Sequence, residues 1–423
     1  MSDINIGKAP PAKAVIPFYA IGALFFVVLC VLLFLSASDL TGHYFSPHIL
    51  AVVHSAVLGW GTMIIFGAGY QLMPVICERD LYSPTLAVIS FYTLTTGAGL
   101  LVTSFWFFWV GWPMITGGAL VVTAALLYAV NVYHTSGQCN RHAANFIISS
   151  AAWLLFTVVL GLLLAINLRF PFIPMSHIDV LKLHAHAGLV GWFLQLITGV
   201  SAKLVPMFLL GKSEKDKLLK YAFYCQNGGL VLFLGDAYFN GLSNRGLFYE
   251  LIIGVGTIAW VLYLADVYRN RVRKKTDWQM KHTGLSFICL LSAFLVLPLL
   301  YGSNDKRWAL VLGTLLFMGW ITGIILGKTF KTLPFIVWNN KFRLLNGKVK
   351  VPMPKHLYKE KLVQYQFWCF LFALLLLVAG ISFACVLLIR VALMAWIITA
   401  LLYVYNVGVV LFYKIETNGG RNK

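Results

Sequence analysis

Charge is what this sequence has least of. Only 11% of its 423 residues are Asp, Glu, Lys or Arg, while 60% are hydrophobic. So small a polar inventory cannot cover a water-soluble domain, which excludes that class. Acid is scarcest: 14 acidic residues stand against 33 basic ones, a formal net charge of +19. Such an excess suits nucleic acid in principle. Here the basic residues fall in short loops between apolar runs, as in membrane proteins, and no nucleic-acid partner is expected. Cysteine motifs are missing too. Cysteines 30, 77, 139, 225, 289, 369 and 385 stand singly, with neither CxxC nor CxxCH among them. Most lie in apolar runs, where a small buried hydrophobe is the simple reading. A cleavable leader is not expected either. Met1 to Lys13 is polar, and the first apolar run is long enough to stay in the bilayer.

What is present is a succession of apolar runs near membrane-spanning length. They predict twelve helices, at about 15–37, 48–76, 84–108, 113–135, 143–167, 180–210, 218–240, 246–268, 282–301, 306–327, 364–388 and 391–413. With the N-terminus placed inside, only Arg169, Lys182, Arg245, Lys306, Arg307 and Arg390 of the 33 basic residues fall outside, and Lys203 lies within a helix. The expectation is a multi-pass protein of a bacterial inner membrane with both termini cytoplasmic. The longest loop, about 328–361, is basic and cytoplasmic and carries no separate domain. The whole of 1–423 reads as one membrane domain.

Internal repeats organise that domain. The second predicted helix carries His54, Gly59, Trp60, Gly67 and Pro74, and the sixth carries His186, Gly191, Trp192, Gly199 and Pro206 at the same offsets. The tenth keeps Gly319, Trp320 and Pro334 but has Thr314 where the histidine would stand. The fourth, eighth and twelfth share Tyr128 with Asn131, Tyr263 with Asp266, and Tyr403 with Asn406. His142 and His282 open the fifth and ninth alike. The chain therefore reads as an all-α membrane protein, twelve transmembrane helices in three tandem four-helix repeats around a pseudo-threefold axis. The repeats span about 15–135, 142–268 and 281–414.

The chemistry centres on His184-Ala-His186-Ala-Gly-Leu-Val-Gly-Trp192. A histidine within a membrane helix is costly and points to function. His54 and His186 start equivalent helices at matching depth, where two imidazoles can clamp a haem iron from facing helices. A hydrogen-bonded histidine pair is the plainer alternative. His184 points to the opposite face of its helix from His186, since two residues turn about 200°. It can serve a second haem or metal, or cap the site. Lys182 and Arg169, with Arg245 and Arg307, are the outer cations available to propionates, unless they are interfacial anchors. His48 and His177 are candidate copper ligands, although solvated loop histidines would look the same. Asp236 is the acid expected deepest in the bilayer, either on a proton path or paired.

Together these features resemble the catalytic subunit of the haem–copper oxidases, in which a histidine on helix 2 and an HxH helix carry haem. The HAHAGLVGW string is also similar to the NnrS-type haem and copper membrane proteins. The resemblance departs at telling places: HxH lies on the sixth helix here, and the seventh has Tyr224-Cys225-Gln226-Asn227 with no histidine. It implies a haem b protein, with one haem or two, without the usual copper-site histidines. The implied work is electron transfer or the handling of nitric oxide or oxygen. If the protein is an enzyme, it is a haem-dependent oxidoreductase. Membrane lipid and a cytochrome or respiratory-complex subunit are the implied partners. A cofactor-free transporter or channel, and a non-catalytic scaffold of a respiratory complex, remain the rival readings.

Overall fold

The computed structural model describes residues 10–137, 139, 142–303 and 305–414. The chain ends, and with them the expected sidedness of the termini, lie outside those residues. The described chain is helical, with long helices α1 (Ile16–Leu35), α2 (Pro47–Cys77), α3 (Pro84–Trp106), α4 (Trp112–Ser136), α5 (His142–Arg169), α6 (His177–Leu209), α7 (Asp216–Asn240), α8 (Gly246–Arg269), α9 (Trp278–Gly302), α10 (Arg307–Lys341), α11 (Glu360–Ser382) and α12 (Val386–Leu411). All except α7 are long and apolar enough to cross a membrane, eleven among the described residues. α7 has the length, but Asp216, Lys217, Lys220, Gln226, Asn227 and Asp236 dilute its apolar character.

Local chemistry sets the helix starts. Ser46, Ser83 and Asp277 cap α2, α3 and α9 by accepting from the backbone N–H of Ile49, Leu86 and Met280. Proline follows at the first turn of α2 and α3, where no N–H is needed. The helix ends were less legible. α10 was expected to stop at 327, but it runs through Pro334 to Lys341. The loop expected at 328–361 therefore begins at 342. A proline near the end of a helix removes one internal bond without stopping the chain, and α2 and α6 pass Pro74 and Pro206 in the same way.

α2, α6 and α10 share one irregularity. Each is π-helical in its middle, over Ser55–Thr62, Ala187–Leu194 and Thr314–Ile321. These stretches begin directly after His54 and His186, and at Thr314, the position matched to them. Such widened turns recur at functional sites. Each stretch also holds a glycine just before its tryptophan, and a neighbouring helix fills the space. A Cβ on Gly59 would collide with the Phe25 ring of α1. On Gly191 it would lie 2.6 Å from Trp153 Cγ of α5, and on Gly319 2.9 Å from Cys289 Cβ of α9.

The repeated Tyr-x-x-Asn/Asp ends also have a shared task. Asn131 accepts from Ser83 N–H at 3.1 Å and donates to Ser83 C=O at 2.8 Å. Asn406 does the same to Lys359, at 2.9 and 3.2 Å. Asp266 binds Lys215 Nζ at 3.0 Å and the Ser213 hydroxyl. Each clamps the segment that leads into α3, α11 or α7. The core is aromatic: Trp60, Trp192, Trp260, Trp320 and Trp396 are all fully buried.

Candidate functional site

A cavity of about 810 Å³ opens beside α6 and reaches α2 to α5 on one side and α8 to α10 on the other. Its wall is largely apolar. The polar groups include His54, Lys182, His184, His186, Glu250 and Tyr301. That is the usual make-up of a cofactor pocket, an apolar container with a few directed polar groups.

His54, His184 and His186 are held alike. His54 Nδ1 lies 2.7 Å from Leu50 C=O, and His186 Nδ1 lies 2.7 Å from Lys182 C=O, each one turn back along its own helix. His184 Nδ1 lies 2.9 Å from Thr157 C=O on α5. A carbonyl only accepts, so each Nδ1 carries a proton, and the neutral rings of His54 and His184 keep their lone pair on Nε2. This is the tautomer of a metal-binding imidazole whose other nitrogen is anchored. Aromatic neighbours fix the planes: His54 stacks on Phe105 at 4.5 Å, and His186 lies against Phe233 at 4.3 Å. His184 nests where Gly161 leaves room, since a Cβ there would sit 2.8 Å from its Cε1.

His54 and His184 lie close enough to interact electrostatically. His186 Nε2 is directed at Glu250 Oε1, 3.3 Å away, and Tyr301 donates to that same oxygen at 2.9 Å. The sequence put His184 and His186 on opposite faces. It did not say which face met α2. Neither Glu250 nor Tyr301 was picked out in advance. A signal for Glu250 existed, because it is an acid inside an apolar helix. Asp236, the acid expected deepest in the bilayer, pairs with Arg245 at 3.4 Å.

The remaining expected residues lie apart from that cluster. Lys182 lines the cavity and bonds Asp179 at 3.2 Å. Arg169 is exposed, over the Phe170 ring at 5.8 Å, and does not line the cavity. Arg307 is bound to Asp305. His48 is bonded to Asp39 at 2.8 Å, and His177 contacts Asn167 and the Phe45 ring. The described residues hold no group of three or more His, Cys, Asp or Glu side chains able to bind a metal. His48 and His177 belong to no such group among the described residues. His282 is fully buried within α9, and its Nε2 lies 3.4 Å from Gln366 Nε2. It packs in the core. His142 is half-buried at the start of α5.

No protein-family profile and no curated protein matches the chain. Among solved structures, it is similar to the cryo-EM structure of a heme-copper terminal oxidase dimer, with a TM-score of 0.67 at 10% sequence identity. The likeness covers 96% of this chain and 84% of that one. The fold is thus heme-copper oxidase-like.

Proposed function

We propose that this chain is a haem b-binding membrane protein that works in electron transfer or in the handling of nitric oxide or oxygen. The observation that carries the reading is the pair His54 and His184. Both line one apolar cavity, both have Nδ1 anchored on a backbone carbonyl, and neither Nε2 has a protein partner among the described residues. That donor set fits bis-imidazole ligation of iron. His54 and His184 would hold the haem, and Lys182 is the cavity-lining cation available to a propionate. A haem held by two histidines supplies one-electron transfer. Phe105 and Gly161 fix the ring planes, and the apolar wall excludes water from them. The described residues do not fit a histidine-rich copper centre, so copper has no place in this reading.

The same proposal takes the fold as twelve membrane helices in three arcs of four. The three π-helical stretches and the three Asn/Asp clamps support it, with α7 counted as a twelfth, more polar span. The protein then sits in a bacterial inner membrane, with its basic loops inside and a cytochrome or respiratory-complex subunit as redox partner.

An absorption spectrum of the purified protein tests the assignment. The expected result is a sharp reduced α-band that is lost in His54→Ala and in His184→Ala. A colourless protein sinks the haem reading and returns the cavity to the transporter class. Carbon monoxide binding to the reduced form then separates gas handling from electron transfer.

A further inference from the structure

α10 carries a lysine at a position where the helices that share its proline spacing carry none. Six residues before the proline, α2 has Ala68 and α6 has Val200, but α10 has Lys328. Three residues before it stand Gln71, Lys203 and Lys331. The helix pattern therefore does not require Lys328, and its surroundings leave its charge unmatched. The ammonium donates to Met280 Sδ of α9 at 3.3 Å, a thioether and a weak acceptor. It shares the Phe208 ring of α6 with Lys331, the two Nζ atoms lying 5.1 and 5.6 Å from the ring centre. Asp277 is the carboxylate that acts on both lysines, and it is already paired with Lys331 and with Arg273, the latter at 3.7 Å. Two half-buried ammonium groups and a guanidinium thus meet one acid in the cleft between α6, α9 and α10. A partly buried cation short of an anion is costly.

We infer that this cleft binds the phosphate-bearing headgroup of an anionic phospholipid. Its depth suits one. From Arg307 to Lys328 the helix rises about 32 Å, at about 1.5 Å per residue, which matches the hydrocarbon layer. Lys328 therefore lies at headgroup level on the side opposite the start of α10. A track for acyl chains begins at the same place. Gly284, Ile288, Leu291 and Leu295 follow Met280 along one face of α9, and all four are exposed. A Cβ on Gly284 would meet nothing within 4 Å, so the face is open beside the lysines. Basic pockets between membrane helices take such headgroups because several cations converge on one phosphate. Such a site needs a bilayer but no haem, and none of its residues lines the histidine cavity.

Native mass spectrometry of the delipidated protein in neutral detergent tests the site. Phosphatidylglycerol and phosphatidylcholine of equal chain length are titrated separately. The wild type should hold phosphatidylglycerol about 10-fold more tightly, and Lys328→Met should lose about 5-fold of that, the scale of one lysine at an anionic headgroup. Lys355→Met removes an exposed lysine from the loop after α10 and should leave the preference unchanged. Equal losses in the two variants overturn the site, since overall charge then sets the preference. A wild type that holds both lipids alike overturns it as well, and that comparison decides the matter even if Lys328→Met does not fold. Displacement of the lipid by an equimolar amount of inorganic phosphate also overturns it and makes the cleft a free-anion site.

Discussion

Trp192 on α6 donates its indole N–H to the Thr62 hydroxyl of α2 at 3.1 Å, and the same step recurs between Trp60 and Thr322 of α10 at 3.0 Å. In both, a tryptophan in one π-helical stretch meets the threonine two residues beyond the tryptophan of the next. The third member breaks the pattern. Position 194, two beyond Trp192, is leucine, and Trp320 Nε1 is buried without a partner.

That asymmetry predicts unequal costs. Thr62→Val and Thr322→Val each strand a buried indole N–H and should lower stability by about 1–3 kcal/mol. A double-mutant cycle of Thr62→Val with Trp192→Phe should show coupling, and Leu194→Val with Trp320→Phe should not show that hydrogen-bond term. Thermal unfolding in detergent measures both. Equal coupling in the two cycles would refute the account.

The close helix approach at Gly191 gives a second expectation. Gly191→Ala places a methyl 2.6 Å from Trp153 Cγ and should cost about 1–3 kcal/mol as overpacking. Gly235→Ala in α7 meets nothing within 4 Å. It should be neutral or stabilising by up to about 1 kcal/mol through helix propensity. The contrast between the two is read in the same unfolding assay.

The Asn406 clamp holds both backbone groups of Lys359 at the entry to α11. Asn406→Ala should release the segment ahead of α11, at a cost of about 1–3 kcal/mol for two unmet backbone groups. Limited proteolysis should then cut faster between 342 and 359, while the loop ahead of α3, held by Asn131, keeps its wild-type rate. Unchanged cleavage after Asn406→Ala counts against the clamp.

Acid should loosen the turn before α10. Hydrogen bonds from the Arg307 guanidinium hold the Asp305 carboxyl below its usual range, and Arg307 also donates to Ser382 C=O at 3.3 Å. A depressed carboxylate contributes stability above its unfolded pKa and loses it as pH falls through the folded one. The loss therefore belongs at and below the ordinary Asp range. It is small, because the pair is exposed and screened. Asp305→Asn should remove that part of the acid dependence, and pH-resolved melting curves of both proteins check it.

Much of this was legible in the sequence because membrane helices announce themselves by composition and by cap and glycine chemistry. The offsets from His54 to Pro74 and from His186 to Pro206 found the helices that carry the π-helical stretches. The Tyr-x-x-Asn/Asp strings found the clamps without revealing what they hold. Facing was the part that stayed hidden. Periodicity separates His184 from His186 but cannot say which of them meets α2, because that depends on packing among distant segments. Glu250 and Tyr301 lie 64 and 115 positions beyond His186 in the chain. Only the fold brings them to one point, as the His186–Glu250 and Tyr301–Glu250 bonds record.

The π-helical stretches also bear on how such a protein tolerates change. Closing a turn on the fifth residue instead of the fourth takes one residue more than an α-turn. Each stretch therefore acts as a phase shift within a continuous rod. The half carrying His54 or His186 can be aimed independently of the half carrying Trp60 or Trp192, with neither needing a break in the helix. Deleting one residue from 187–194 would let the segment close as ordinary α-helix with the two halves near their present orientation, and the widened turn beside His186 would be lost. What that single residue supplies is the widened turn, and not any side chain.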